Sequence, residues 1–182
     1  MKTLFINACI RENSRTLSLC REYISRRCEG EVRELELAGL GLQPFDLNML
    51  TKREADIAAE DFSDREYDLV KEFVAADEIV IAAPFWDFSF PAMLKVYLEH
   101  ICVNKVAFKY VDGRPVGLCR ARKLSYFVTA GGFIGENSSL EKYLEEMCNL
   151  LGIPEVRLYK AEGLDIYGND VDEILGQTIR EF

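Results

Sequence analysis

An unbroken apolar strand that leads into an aromatic loop is the segment of this chain with the clearest chemical potential. Residues Glu78 to Ala83 have the sequence EIVIAA, and the loop Pro84-Phe85-Trp86-Asp87-Phe88 follows directly. A continuous apolar run predicts a strand covered on both faces of a parallel sheet, and ligands bind beyond the carboxyl ends of such strands. Flat side chains and backbone N–H groups suit a planar heteroaromatic ring with polar edges, for which a flavin is the first candidate. Core or lid packing would explain the same aromatic residues.

A second candidate segment, NACIRENSRT, follows the first predicted strand from Asn7 to Thr16. Arg11 and Arg15 can donate to phosphate oxygens. Ser14 and Thr16 supply hydroxyl groups, and the start of the next helix adds N–H groups with a partial positive charge. These features predict a phosphate cradle. A Ser14 that only caps the helix, beside solvated arginines, is the alternative interpretation.

The predicted cradle differs from the common nucleotide-binding loops. The pattern G-x-G-x-x-G does not follow the first strand, and G-x-x-x-x-G-K-[ST] occurs nowhere in the sequence. A dinucleotide fold and a P-loop NTPase are therefore disfavoured. The cradle fits a mononucleotide phosphate such as that of FMN, and FAD is less favoured.

A third loop, Thr129-Ala130-Gly131-Gly132-Phe133, follows another predicted strand. The glycines remove side-chain barriers and allow the backbone to approach a ligand closely. The Thr129 hydroxyl and the neighbouring N–H groups could bond the pyrimidine edge of a ring. A simple turn between a strand and a helix is the alternative.

These loops need a scaffold that places them together, and alternating strands and helices predict one. The pattern fits a single flavodoxin-like α/β domain over residues 1–182, a three-layer sandwich with a five-stranded parallel sheet of order 2-1-3-4-5. The right-handed crossover rule places helices on both faces. In that order, the ends of the first, third and fourth sheet strands lie side by side. The predicted strands are Leu4–Ala8, Val32–Leu37, Glu78–Ala83, Leu124–Thr129 and Glu155–Ala161.

Capping patterns and apolar periodicity predict the helices. Ser63 with Glu66, and Ser138 with Glu141, have the spacing of capping boxes. Asp112-Gly113 predicts a small hairpin. The long connection 38–62 has no clear period, and Asp46 and Asp56 within it are interpreted as solvated carboxylates. The predicted helices begin near Ser14, Lys52, Ser63, Pro91 and Ser138, with a last helix over 171–182.

Composition limits the classes of function. The 182 residues carry a formal net charge of −9, which disfavours nucleic acid as a partner because polyanion binding needs a basic surface. No apolar run approaches the length of a membrane span, and a cytoplasmic protein is expected. Six cysteines without a C-x-x-C pair and a single histidine make a metal site unfavourable. His100, near a helix end, is assigned a structural role.

Taken in order, these segments resemble those of the flavodoxin-like NAD(P)H:quinone oxidoreductase and FMN-dependent azoreductase family. The loop 84–88 followed by Pro91-Ala92-Met93-Leu94-Lys95 is similar to the family's flavin-ring loop and its next helix. The resemblance continues through Phe108-Lys109-Tyr110 with Gly117-Leu118, through the Gly-Gly loop, and through Ala161-Glu162-Gly163-Leu164. It covers nearly the whole chain.

The resemblance implies an FMN-binding homodimer that oxidises NADH or NADPH and reduces quinones, azo dyes or nitro compounds by a ping-pong route. Catalysis would take place at flavin N5, with no catalytic side chain. Two departures are Cys9, at a position where azoreductases often have a serine, and Asp87, where asparagine is frequent. The implied FMN ligands are Arg11, Ser14, Arg15 and Thr16 for the phosphate, Pro84, Phe85, Trp86, Asp87 and Phe88 for the ring edge, and Thr129, Gly131 and Gly132 for the pyrimidine side.

Two rival functions fit the same fold. A flavodoxin-type electron carrier shares the size and acidity but has no NAD(P)H turnover of its own. A flavin-free binding or signalling module would take up no FMN. Two arginines in the first loop and the excursion 108–118 favour the oxidoreductase over the carrier.

Overall fold

A five-stranded parallel sheet forms the centre of the structure, a computed structural model that describes residues 1–135 and 138–182. Its strand order is β2-β1-β3-β6-β7, and every neighbouring pair is parallel. With the two hairpin strands left out of the numbering, this is the predicted order 2-1-3-4-5. The strands are β1 (Lys2–Asn7), β2 (Glu31–Glu36), β3 (Glu78–Ala82), β6 (Lys123–Thr129) and β7 (Glu155–Ala161), and the hairpin consists of β4 (Phe108–Val111) and β5 (Arg114–Gly117).

Helices cover both faces of this sheet, as the crossover rule requires. Alternate residues of β1 show the division, because Leu4 and Ile6 pack in one apolar cluster and Phe5 packs in the other. The first cluster includes residues of three helices, over 68–75, 92–101 and 139–151, and the second includes residues of two, over 15–27 and 171–180. The helices are α1 (Arg15–Arg27), α2 (Leu47–Ala59), α3 (Asp68–Ala75), α4 (Ala92–Ile101), α5 (Ser139–Leu151) and α6 (Val171–Arg180).

The central strand β3 is buried at all five of its positions. Burial on both faces explains its unbroken apolar sequence. Each fully buried Val or Ile contributes about 1.5–3 kcal/mol relative to an exposed one. Glu78 is the exception in this strand, and Lys123 Nζ lies 2.8 Å from its carboxylate.

In the connection after β2, the predicted start of the helix was wrong, and the prediction of solvated carboxylates holds for the exposed Asp46 but not for Asp56. Helix α2 begins at Leu47, not near Lys52, because Asp46 caps it by accepting a hydrogen bond of 2.8 Å from the Met49 N–H. The helix has no fully buried residue, so its sequence lacks the apolar period that would reveal its start. Asp46 is therefore a cap. Asp56 accepts hydrogen bonds from Lys52 and the Tyr67 hydroxyl and is not simply solvated.

The capping box predicted at Ser63 is also absent from this part of the structure. Asp64 accepts from the Glu66 N–H and caps a short 3-10 turn over Arg65–Tyr67, and α3 begins only at Asp68. The Glu66 carboxylate pairs with Lys52 instead of returning to Ser63. Aspartate caps as well as serine does, which explains the shift by one residue.

One half of the predicted capping box at Ser138, the predicted hairpin turn and the structural role of His100 are confirmed. Ser138 caps α5 by accepting from the Glu141 N–H, and the hairpin turns at Asp112 and Gly113, both with positive φ. His100 has structural contacts, since its Nε2 lies 2.9 Å from the Gln43 carbonyl oxygen and its ring packs against Phe45.

Candidate functional site

Three loops meet at the carboxyl end of the sheet, as the strand order predicts. The Ala8 N–H donates to the Ala82 carbonyl at 2.9 Å, which joins the first loop to β3. The Phe85 N–H donates to the Thr129 carbonyl at 3.0 Å, which joins the second loop to the third. Backbone hydrogen bonds therefore join the first loop to the strand that leads into the second loop, and the second loop to the start of the third.

A cleft of about 260 Å³ opens between these loops. Nine of the twelve residues predicted as cofactor ligands line this cleft, and the other three, Asp87, Phe88 and Gly132, do not. The full lining is Cys9, Ile10, Arg11, Asn13, Ser14, Arg15, Thr16, Pro84, Phe85, Trp86, Thr129, Gly131 and Asp165.

The amino end of α1 forms one wall of the cleft and provides a site for an anion. The Ser14 hydroxyl accepts from the Leu17 N–H at 3.2 Å, so Ser14 is the helix cap. The N–H groups of Arg15 and Thr16 lie in the first turn, where a helix offers them no internal acceptor. No acidic residue occupies that turn. Capping by Ser14 and anion binding at the N–H groups are therefore compatible.

A buried amide fixes the shape of the first loop. Asn7 is 3 % exposed, and its Oδ1 accepts from the Cys9 N–H at 3.0 Å while its Nδ2 donates to Glu34 at 2.9 Å. The Cys9 thiol donates to the Ala82 carbonyl at 3.6 Å, and burial raises the pKa of Cys9. Cys9 is thus a neutral thiol directed to the backbone of β3.

Two predicted ligands bond to each other across the cleft floor. The hydroxyl oxygens of Thr16 and Thr129 lie 2.6 Å apart, and both residues are buried. One hydroxyl donates to the other, so the accepting hydroxyl keeps its own hydrogen for a further acceptor. This pair joins the first loop to the third and leaves one donor available.

The aromatic loop is a tight turn with left-handed backbone. Trp86 and Ser89 exchange backbone hydrogen bonds of 3.0 and 2.8 Å, and Asp87 and Phe88 between them have φ of 49° and 63°. Two positive φ values define a type I′ turn, which glycine and asparagine favour and phenylalanine does not. The side chain of Phe88 is 83 % exposed. Phe85 and Trp86 line the cleft, and Asp87 and Phe88 form the tip of the turn.

The structure gives a reason for the glycine at residue 131 that the sequence did not reveal. A Cβ atom added to Gly131 would lie 2.2 Å from the carboxylate oxygen Oδ2 of Asp165, whereas one added to Gly132 would meet no atom within 4 Å. The Gly131 carbonyl also accepts from the Asp165 N–H at 2.9 Å. The group that approaches Gly131 closely is therefore the carboxylate of Asp165, which lies in a fourth loop.

That fourth loop, after β7, is the part of the site that sequence reasoning missed. The Arg15 guanidinium donates to the Leu164 carbonyl at 3.2 Å and to Asp165 at 2.8 Å. A rule that ligand loops follow strand ends would also have included the end of β7. The resemblance at Ala161-Glu162-Gly163-Leu164 ended one residue before Asp165.

Comparison with known proteins identifies the family. A family model described as "Flavodoxin-like fold" matches residues 1–182. The chain belongs to the flavodoxin-like family. An FMN-dependent NADH:quinone oxidoreductase of Clostridium beijerinckii is 32 % identical over 187 residues, which covers 98 % of this chain and 94 % of that protein.

Other members of the family extend this comparison. A second such oxidoreductase, from Clostridium acetobutylicum, is 42 % identical over 115 residues, or 60 % of this chain and 58 % of that protein. An FMN-dependent NADH-azoreductase from Bacillus anthracis, solved in complex with FMN, is 22 % identical with a TM-score of 0.79. That alignment covers 100 % of this chain and 95 % of the other, and it shows a shared fold.

The donor set of this flavodoxin-like site fits a flavin mononucleotide. Arg11 and Arg15, the free N–H groups of α1 and the Thr16–Thr129 hydroxyl pair are suited to a phosphate and its neighbouring polar atoms. Phe85 and Trp86 supply apolar surface on the adjoining wall. In the described ranges 1–135 and 138–182, no cluster of three or more ligand side chains could hold a metal ion. Across those same ranges, no helix is both long enough and apolar enough to span a bilayer.

Proposed function

We propose that the chain is an FMN-dependent NAD(P)H oxidoreductase that reduces quinones or related azo and nitro acceptors. The observation that carries this proposal is the joining of a phosphate cradle and an aromatic loop in one cleft by backbone hydrogen bonds. The names of the relatives support the enzyme and give no support to the electron-carrier alternative.

Residues of the first loop would hold the cofactor's phosphate. Arg11, Arg15 and the first-turn N–H groups of α1 supply positive charge and donors, and Ser14 keeps that helix end in place. The residue Thr16 supports the cradle through its bond to Thr129. FMN itself would supply the redox chemistry, accepting hydride from a nicotinamide and passing electrons to an acceptor.

The aromatic loop would hold the ring edge. Within the described residues, the N–H groups of Phe85, Trp86 and Ser89 are used by carbonyls of the sheet and the turn. Those of Asp87 and Phe88 have no acceptor among the described residues and remain as donors for a ligand. Donors fixed in advance stabilise negative charge that develops on a bound ring. Pro84, Thr129, Gly131 and Gly132 would complete the pocket.

A homodimer is part of the proposal. Large apolar side chains are exposed at the cleft and beside it, including Ile10 and Trp86 in its lining and Phe88 at the tip of the aromatic loop. Exposed apolar groups next to a ligand cleft are typical of surfaces that a partner or substrate covers. A second copy of this chain would cover them and narrow the entrance. Light scattering of the eluted protein should give twice the chain mass, and a monomer would contradict this part.

A cytoplasmic location also belongs to the proposal. All six cysteines are free thiols in the structure, three of them buried, which fits a reducing compartment. Residues 1–182 would form one FMN-binding domain.

The decisive experiment is a flavin titration followed by a turnover assay. The purified protein should bind FMN with quenching of flavin fluorescence and should then oxidise NADH or NADPH in repeated cycles with menadione. A protein that binds FMN without turnover would be an electron carrier. A protein that binds no FMN would be the flavin-free module, and either result would overturn the proposal.

A further inference from the structure

The cleft that would take an anionic phosphate has a carboxylate in its wall. Among the described residues that line it, the charged ones are Arg11, Arg15 and Asp165. The position of the Asp165 carboxylate in this wall is fixed by more than its side-chain rotamer. Its backbone N–H is bound to the Gly131 carbonyl, and its Oδ2 lies across the space that a side chain at residue 131 would fill.

Asp165 acts on the site through one cation. Its Oδ1 lies 2.8 Å from Arg15 Nη2, while Arg15 Nη1 donates to the Leu164 carbonyl. Two donors of the guanidinium are therefore committed to the fourth loop. One of the two positive charges in the cleft is also neutralised, which leaves a single net positive side-chain charge beside the amino end of α1.

We propose that Asp165 is a positioning residue that competes with the cofactor's phosphate monoester for Arg15 and thereby weakens the binding of FMN. This inference rests on the proposed function and adds to it a determinant of flavin affinity. The residue touches no reacting atom. Its effect is confined to ligands that carry a phosphate, because the Arg15 guanidinium is the group through which it acts.

Arg15 and Asp165 are both partly exposed, which sets the size of the effect. Their side chains are 37 % and 69 % exposed. An exposed ion pair is worth at most about 1 kcal/mol, so its removal should change a dissociation constant by about two- to five-fold. Asp165→Asn is the informative change, because the amide oxygen can still accept from Arg15 while the negative charge is lost.

The test compares two flavins that differ only in the phosphate. Fluorescence titration of the whole protein should show that Asp165→Asn binds FMN about two- to five-fold more tightly and binds riboflavin as the unchanged protein does. Asp112→Asn is the matched control, since it removes the same charge from the distant hairpin turn and should change neither constant. In an Arg15→Ala background, Asp165→Asn should no longer tighten FMN.

Each contrary result identifies a different error. Weaker FMN binding by Asp165→Asn would mean that the carboxylate helps the cradle, and this would overturn the inference. An equal change for riboflavin, or tightening that persists without Arg15, would overturn it too, because the route through Arg15 would be wrong. If the unchanged protein binds neither flavin, the proposed function itself fails, and the inference fails with it.

Discussion

Charged side chains have different surroundings at the two ends of the sheet. At the amino ends of the strands, the buried Glu78 is surrounded by partners, with Lys123 Nζ at 2.8 Å and the Tyr23 hydroxyl at 2.9 Å. At the carboxyl ends, Arg11 and Arg15 line an open cleft, and the exposed carboxylate of Asp165 pairs with Arg15. Charges at the amino end are satisfied within the fold, whereas those at the carboxyl end keep donors for a ligand.

Positive φ values at residues other than glycine occur away from the cleft, at Glu60, Lys105 and Asp112, and also beside it. The turn at Asp87 and Phe88 holds two residues other than glycine at positive φ, next to the cleft. Strain of this kind costs about 1–3 kcal/mol for each residue and is concentrated at functional sites. We expect the contacts of Glu78 with Lys123 and Tyr23 to determine the stability of the fold. We expect the loops at the carboxyl end of the sheet to determine the binding of a ligand.

The largest effect is expected at the amino end, from Lys123→Ala. The change would leave the Glu78 carboxylate buried without its cation. Removing one partner of a buried pair costs about 3–5 kcal/mol, and the partial exposure of Lys123 places the expected loss near 3 kcal/mol. Urea unfolding measures it. Flavin affinity should stay constant, and a loss of FMN binding in the folded variant would contradict the division.

The same pair predicts a pH dependence. Burial would lower the pKa of Lys123, but hydrogen bonds to Glu78 and Tyr23 outweigh that effect and raise it. A raised pKa in the fold means that the contribution is fully present below the value of a free lysine, about 10.4, and is lost as the pH rises through the higher folded value. Unfolding curves for the unchanged chain and for Lys123→Ala should therefore converge only at strongly alkaline pH.

At the carboxyl end, Arg11→Ala should weaken FMN binding with little change in stability. A hydrogen bond to a charged group is worth about 1.5–3 kcal/mol, and exposure of Arg11 favours the lower limit, so a loss of about ten-fold is expected. Riboflavin binding should not change. Lys142→Ala, on the exposed face of α5, is the charge-matched control. Equal losses of affinity for FMN and riboflavin would mean that the phosphate does not bind at the first loop.

The two adjacent glycines offer a matched pair of smaller effect. Gly131→Ala would force the Asp165 carboxylate from its place and break its ion pair with Arg15, at a cost of about 1 kcal/mol of folding free energy. Gly132→Ala would enter open space and should be neutral. Urea unfolding of both variants measures the two changes in folding free energy. Equal losses would mean that backbone freedom, not the contact with Asp165, explains the Gly-Gly sequence.

Strand order and loop convergence were predictable because they depend on patterns that the sequence displays directly. Apolar runs identified all five sheet strands to within two residues, and the position of loops at strand ends follows from the order of strands. The start of α2 was not predictable, since a helix without a buried face has no apolar period. Asp165 was missed for a different reason, because a carboxylate that pairs with an arginine 150 residues away leaves no local signal.

The smallest expected effect compares two turns of the same kind. Asp87 and Asp112 have φ of 49° and 50°, and each is followed by a second residue at positive φ, Phe88 in one turn and Gly113 in the other. Asparagine suits the first position of a type I′ turn at least as well as aspartate does, so Asp87→Asn and Asp112→Asn should each be neutral or should raise stability by a few tenths of a kcal/mol.

The same variant tests whether the Asp87 carboxylate affects a bound flavin. Asp87 is exposed at the tip of its turn, outside the lining of the cleft, and water screens a charge in that position. The midpoint potential of the FMN-loaded protein should therefore be nearly the same for Asp87→Asn as for Asp112→Asn. A clear rise for Asp87→Asn alone would place that carboxylate next to the ring, beside the N–H groups of the turn that are proposed to hold the ring edge.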